Sequence, residues 1–77
     1  MPQVRVQISE LLAAKARREG RERITQEELA AAIGIPQGTI SRWAGNKVDR
    51  LDRHIMAALC DYFDCEVNEL LYLDRSR

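Results

Sequence analysis

The tripeptide Gly34-Ile35-Pro36 restricts the fold of this 77-residue chain more than any other feature. Glycine tolerates the positive φ that closes a helix, and proline has φ preset for the first turn of a new one. Two helices must therefore meet here across about three residues. Upstream, Thr25 and Glu28 have the spacing of a capping box, in which a hydroxyl and a carboxylate each satisfy a free backbone N–H, and Ile24 and Leu29 bracket it as a hydrophobic staple. The helix so started spans 26–33. Its apolar face is Leu29, Ala30 and Ile33, and its run of alanines lets another helix approach closely. The helix after the turn, 37–44, buries Ile40 and Trp43 and turns Gln37, Gly38, Thr39, Ser41 and Arg42 outward. Gly45-Asn46 stops it, with one of the two expected to be left-handed.

The flanking segments read as further helices. Ser9 is a candidate cap for a first helix over about 8–19, although Ile8 with Leu11 and Leu12 also fits one helical face, and Gly20 is suited to close it. Asp52 caps a helix over 53–63 whose buried stripe is Ile55, Ala58, Leu59, Tyr62 and Phe63. A last helix over 67–71 carries Val67, Leu70 and Leu71, followed by a frayed tail from Asp74 to Arg77. Val4, Val6 and Ile8 alternate with polar residues, which predicts a short extended segment at 4–6. The expected fold is all-α: five compact helices in a single domain, residues 1–77, with its core in 8–71.

Size and composition narrow the function classes. A chain this long buries only roughly 60% of its unfolded surface and has room for one core. The longest apolar-rich stretch, 55–60, is far short of the ~18 residues of a membrane span, and the N-terminus lacks a basic region followed by an apolar one, so neither membrane insertion nor export is expected and a cytoplasmic location is. Cys60 and Cys65 have no metal-ligand partners at suitable spacing and are read as reduced core thiols, with a disulfide as the alternative. His54 is the sole histidine. No nucleophile, phosphate loop or metal spacing accompanies it, so no enzyme, cofactor or metal is expected, nor is a small-molecule effector evident. Formal net charge is +0, but residues 1–23 carry Arg5, Lys15, Arg17, Arg18, Arg21 and Arg23 against Glu10, Glu19 and Glu22, while the stretch from Asp61 onward is acidic. Such a dipolar chain can present a basic face to a polyanion, or merely have solvated helix faces.

Two short helices around a glycine turn form a helix-turn-helix, whose second helix enters the DNA major groove. The series Thr25-Gln26-Glu27-Glu28-Leu29-Ala30, Gly34 and Gln37-Gly38-Thr39-Ile40-Ser41-Arg42-Trp43 resembles the Cro/C1-type (XRE), lambda repressor-like helix-turn-helix family over about residues 8–71. The nearest flavour is the small bacterial and phage regulators made of this domain alone, which share the lysine-containing loop and an ending like Glu69-Leu70-Leu71. The resemblance implies base contacts from Gln37, Gly38, Thr39 and Arg42, with Gln37 suited to adenine, the Thr39 methyl to thymine, and Arg42 to guanine O6 and N7. It implies phosphate contacts from Gln26, Ser41, Lys47 and Arg50. Trp43 belongs to the core. Pro36 departs from the family's Ser or Thr cap, Gly38 stands where a base reader is common, and Arg17 to Arg23 lengthen the first connection into a loop that touches flanking phosphates or simply moves.

The expected function is a sequence-specific transcriptional regulator, a repressor in the simplest case, bound as a homodimer to a palindromic operator of double-stranded DNA. The dimer surface is sought on the last two helices (Tyr62, Val67, Leu71, Tyr72) or in pairing of the 4–6 strand. The alternative is a protein-interaction module of the same fold, antitoxin-like or a phage partner, which zero net charge favours.

Overall fold

A computed structural model of the chain describes residues 2–75. In chain order the elements are β1 (Gln3–Val6), α1 (Ile8–Arg18), α2 (Gln26–Ile33), α3 (Gln37–Ala44), α4 (Arg53–Phe63), α5 (Val67–Leu70) and β2 (Leu71–Asp74). The five expected helices are present, with boundaries moved by one residue at the ends of the first and last. They close around Ile8, Leu29, Ile40, Leu59, Phe63 and Leu70, all fully buried, with Val6, Leu12, Ala16, Ile24, Ala30 and Trp43 completing the core. Each large side chain among these contributes about 1.5–3 kcal/mol by leaving water. Trp43, 2% exposed, is core as expected. No helix among the described residues is long and apolar enough to cross a membrane.

Three local readings need correction. Ser9 does not cap α1: the helix begins at Ile8, and Gln7 before it makes no side-chain cap. The backbone explains this, because the Gln7 N–H donates to the Leu70 carbonyl at 2.9 Å and the chain turns directly from sheet to helix, drawing Ile8 into the core. Leu71 is not helical, and Asp74 is not part of a frayed tail. Residues 71–74 form β2, antiparallel to β1 in the register Gln3↔Asp74, Val4↔Leu73, Arg5↔Tyr72, Val6↔Leu71. Arg5 Nε meets the Asp74 carboxylate at 3.0 Å across this ladder. Ser76 and Arg77, the rest of the tail, lie outside the described residues. The sheet also takes up the 4–6 strand within the chain, against β2, where pairing with a second copy had been one expectation.

Thr25 Oγ1 accepts the Glu28 N–H at 3.1 Å, one half of the capping box. The Glu28 carboxylate is engaged mainly by both terminal nitrogens of Arg21, which together with a lesser pull from the Thr25 N–H holds it below the ordinary carboxylate range. The segment from Arg17 to Arg23 is folded back against α1 and α2 by these contacts. Gly20 takes φ +69, and the Arg21 N–H returns to the Ala16 carbonyl at 2.8 Å.

A candidate nucleic-acid interface

Gly34 adopts φ 71, the left-handed conformation the turn requires, and its own N–H returns to the Ala30 carbonyl. The Ile35 N–H donates to the same carbonyl at 3.1 Å. Pro36 precedes α3 with φ −56 and makes no side-chain cap, but its carbonyl accepts the N–H groups of Thr39 and Ile40 and so starts the helix. Ala30, buried at the crossing, allows α2 and α3 to lie close.

The inner face of α3 is Ile40 and Trp43, with Ala44 half-buried. At 3.6 residues per turn, the face opposite comprises Gly38, Ser41 and Arg42, all exposed. Gln37 is exposed and Thr39 half-buried; these flank the outward stripe, one on each side. Arg42 lies one turn after Gly38, where a glycine leaves its long side chain unobstructed toward the N-terminal end of the helix. An added Cβ at Gly38 meets nothing within 4 Å. The outward face of α3 is therefore a shallow polar strip with one cation and one stretch of bare backbone.

The expected phosphate-binding residues occupy two places. Gln26 opens α2 and lines a cleft of about 340 Å³ whose polar wall is Ser9, Arg17, Glu22 and Arg23, two cations against one carboxylate. Ser41 lies on α3, and Lys47 and Arg50, both exposed, lie in the loop from α3 to α4. Arg17 and Arg23 are thus brought beside the amino end of α2, where the backbone N–H groups also favour an anion. The sequence left this loop between touching flanking phosphates and merely moving; its arginine density was the signal for the first. Its other arginines are engaged elsewhere: Arg21 by Glu19 and Glu28, and Arg18 by the Phe63 carbonyl at 3.3 Å. Hydrogen bonding to Glu28 raises the Arg21 pKa further.

Asn46 is a further residue that the sequence did not identify in its structural role. It follows α3 at φ 56, so it, and not Gly45, is the left-handed residue. Its side chain reaches β1, where Oδ1 accepts the Val6 N–H at 2.6 Å and Nδ2 donates to the Val6 carbonyl at 3.3 Å. The end of α3 is thereby tied to the sheet. Among the described residues no group of three or more His, Cys, Asp or Glu side chains is placed to hold a metal ion. His54 sits exposed in the first turn of α4, its backbone N–H donating to the capping Asp52 at 2.7 Å.

Comparison with known proteins gives one match. The family model of the Cro/C1-type HTH DNA-binding domain fits residues 20–75, more than half of the chain, from the αL glycine after α1 to one residue past β2. No curated protein and no solved structure matches at a significant level.

Proposed function

The chain belongs to the Cro/C1-type helix-turn-helix family of DNA-binding regulators, and from that premise we propose that it is a sequence-specific repressor. In this reading one domain, acting in the cytoplasm, binds a palindromic operator as a homodimer and blocks polymerase access, without a catalytic step. The observation that carries it is the outward polar strip of α3, on the side away from the core; the gathering of Arg17, Arg23 and Gln26, with Glu22, in one cleft at the amino end of α2 supports a phosphate contact there. Gln37, Gly38, Thr39 and Arg42 are assigned to base edges, and Gln26, Ser41, Lys47 and Arg50 to phosphates, with Arg17 and Arg23 added to the latter.

Selection of bound sequences from random duplexes tests the reading. A palindromic consensus with half-sites about one helical turn apart supports it. Titration of that duplex at several salt concentrations should give log affinity falling steeply with log salt, as release of counterions from several phosphates requires. A slope near zero with no enriched sequence would favour the protein-interaction reading, for which the acidic stretch around Asp61, Asp64, Glu66 and Glu69, all exposed, is the supporting observation.

A further inference from the structure

The two edges of the β1–β2 ladder are unlike, and the difference points to where a second copy binds. Val6 gives its N–H and C=O to Asn46, on the side away from β2, so Val6 and Leu71 are a pair without ladder bonds. By alternation Arg5↔Tyr72 and Gln3↔Asp74 carry the bonds between strands, while residues 2, 4 and 6 of one chain segment and 71, 73 and 75 of the other turn their backbone groups outward. The outer edge of β1 is blunted. Proline at position 2 has no N–H to offer, Val6 is occupied, and Val4 between them borders a cleft walled by Asn46, Val48 and Leu51. The outer edge of β2 is open: the Leu71 N–H turns back to the Val67 carbonyl, but the Leu71 carbonyl, both backbone groups of Leu73 and the Arg75 N–H have no backbone partner among the described residues. Natural proteins protect such edges or use them.

The side chains agree with use. Among the described residues the large exposed apolar side chains are Val4 (56%), Val67 (50%), Leu73 (46%) and Tyr72 (44%), and three of these lie in the two strands. Val4 and Leu73 are paired across the ladder on the same face as buried Val6, so they extend the core-side face beyond the domain.

We propose that the protein dimerises by antiparallel pairing of β2 with β2 of a second copy about a two-fold axis through Leu73, giving a four-stranded sheet. This rests on the homodimer in the reading above and names its surface. An antiparallel edge is its own complement, which suits a two-fold axis. Charge and hydrogen bonding select the register. Centred on Leu73, each copy exchanges Leu73 N–H and C=O with the other, and the Arg75 N–H of each donates to the Leu71 carbonyl of the other. The apolar row then runs Val4, Leu73, Leu73, Val4 across the sheet. Each Arg75 side chain comes to the end of the other copy's α5, which carries Glu66 and Glu69 on its acidic start and body. Moving the axis to position 74 sets two Asp74 carboxylates opposite each other, and moving it to position 72 loses the Arg75 bonds.

The test uses the full chain without DNA. Sedimentation should show a concentration-dependent dimer. Leu73→Pro removes an outward N–H while sparing the bonds at 72 and 74, and should give a monomer; Val4→Pro, on the blunted edge, should leave the dimer intact. With Cys60 and Cys65 changed to Ser, Leu73→Cys should oxidise to a covalent dimer, since residues in a bonded antiparallel pair have Cα atoms ~5.5 Å apart, within disulfide range. Val4→Cys should not. If Leu73→Pro fails to fold, the cross-link decides. A wild-type monomer up to about 1 mM, where any useful affinity would appear, overturns the proposal and leaves the edge to a strand of another protein. A dimer that survives Leu73→Pro, or one that cross-links at Val4 and not Leu73, also overturns it. A dimer of the expected kind that binds no duplex would sink the repressor reading and leave this inference standing.

Discussion

Gly38 and Arg42 share the outward stripe of α3, and their chemistry predicts opposite kinds of effect. Arg42→Ala should relax preference at one base pair at a cost of roughly 1–3 kcal/mol, whereas Lys47→Ala should weaken all sequences alike and lower the salt slope by about one; competition binding to single-position operator variants separates the two. Nothing in the fold requires glycine at position 38, because its φ is not in the left-handed region and a Cβ there has open space. Gly38→Ala should therefore stabilise α3 by up to ~1 kcal/mol, read as a higher Tm, yet weaken operator binding, as expected if bare backbone approaches the bases. A higher Tm with unchanged affinity would show that the DNA does not come near position 38. Away from the interface, burial, and then the neighbouring Cys60 thiol, push Cys65 up from 9.0 to about 11. A raised value means that the fold favours the neutral thiol. This contribution to stability is complete below pH 9 and is lost as pH rises from about 9 toward 11, so Tm in that window should fall less steeply for Cys65→Ala than for the wild type.

The elements differ in how plainly the chain announces them. Helices α2 and α3 follow from signals within a few residues of each other: a Thr25 cap, an αL Gly34, a preset Pro36 and a 3.6-residue apolar period. Strand β2 does not, because Leu70-Leu71-Tyr72-Leu73 is an apolar run that fits a helix end equally well, and only pairing with residues near the start of the chain makes it extended. The Asn46 tether is hidden for the same reason, since its partner Val6 is 40 positions away. The outward polar face of α3 could be read from periodicity, but the half-burial of Thr39 and the gathering of Arg17 and Arg23 beside Gln26 depend on how helices cross. The tether can be measured as a link between elements. Asn46→Gly keeps the left-handed backbone and loses both hydrogen bonds, at a cost of about 1–3 kcal/mol because the Val6 N–H loses its partner. Asn46→Ala should cost about 1–2 kcal/mol more, because alanine resists positive φ. Urea unfolding of the two variants gives both terms; equal losses would mean that the backbone conformation contributes nothing.

At the scale of the whole molecule, zero net charge conceals a separation of signs, with arginines near α2 and exposed carboxylates around the end of α4 and α5. Like-charged surface kept away from DNA lowers non-specific affinity without removing the local attraction at the groove. The molecule is also closed by contacts of very unequal reach. The turn between α2 and α3 needs only neighbouring residues, whereas the Arg5–Asp74 bridge joins positions 69 apart. Closing so long a loop costs roughly 1–2 kcal/mol more in chain entropy than a contact between neighbouring helices, and contacts of such long range form late. Val6→Ala should accordingly speed unfolding and leave the refolding rate nearly unchanged, while Leu29→Ala should slow refolding; stopped-flow chevrons would show the contrast, and a slowed refolding limb for Val6→Ala would place the sheet in the folding nucleus. On a ribosome the same ordering has a temporal meaning. Val4 and Val6 emerge before their partner strand and must wait for β2, so helices that form in between do so beside an unpaired, apolar segment, and that interval exposes the nascent chain to aggregation.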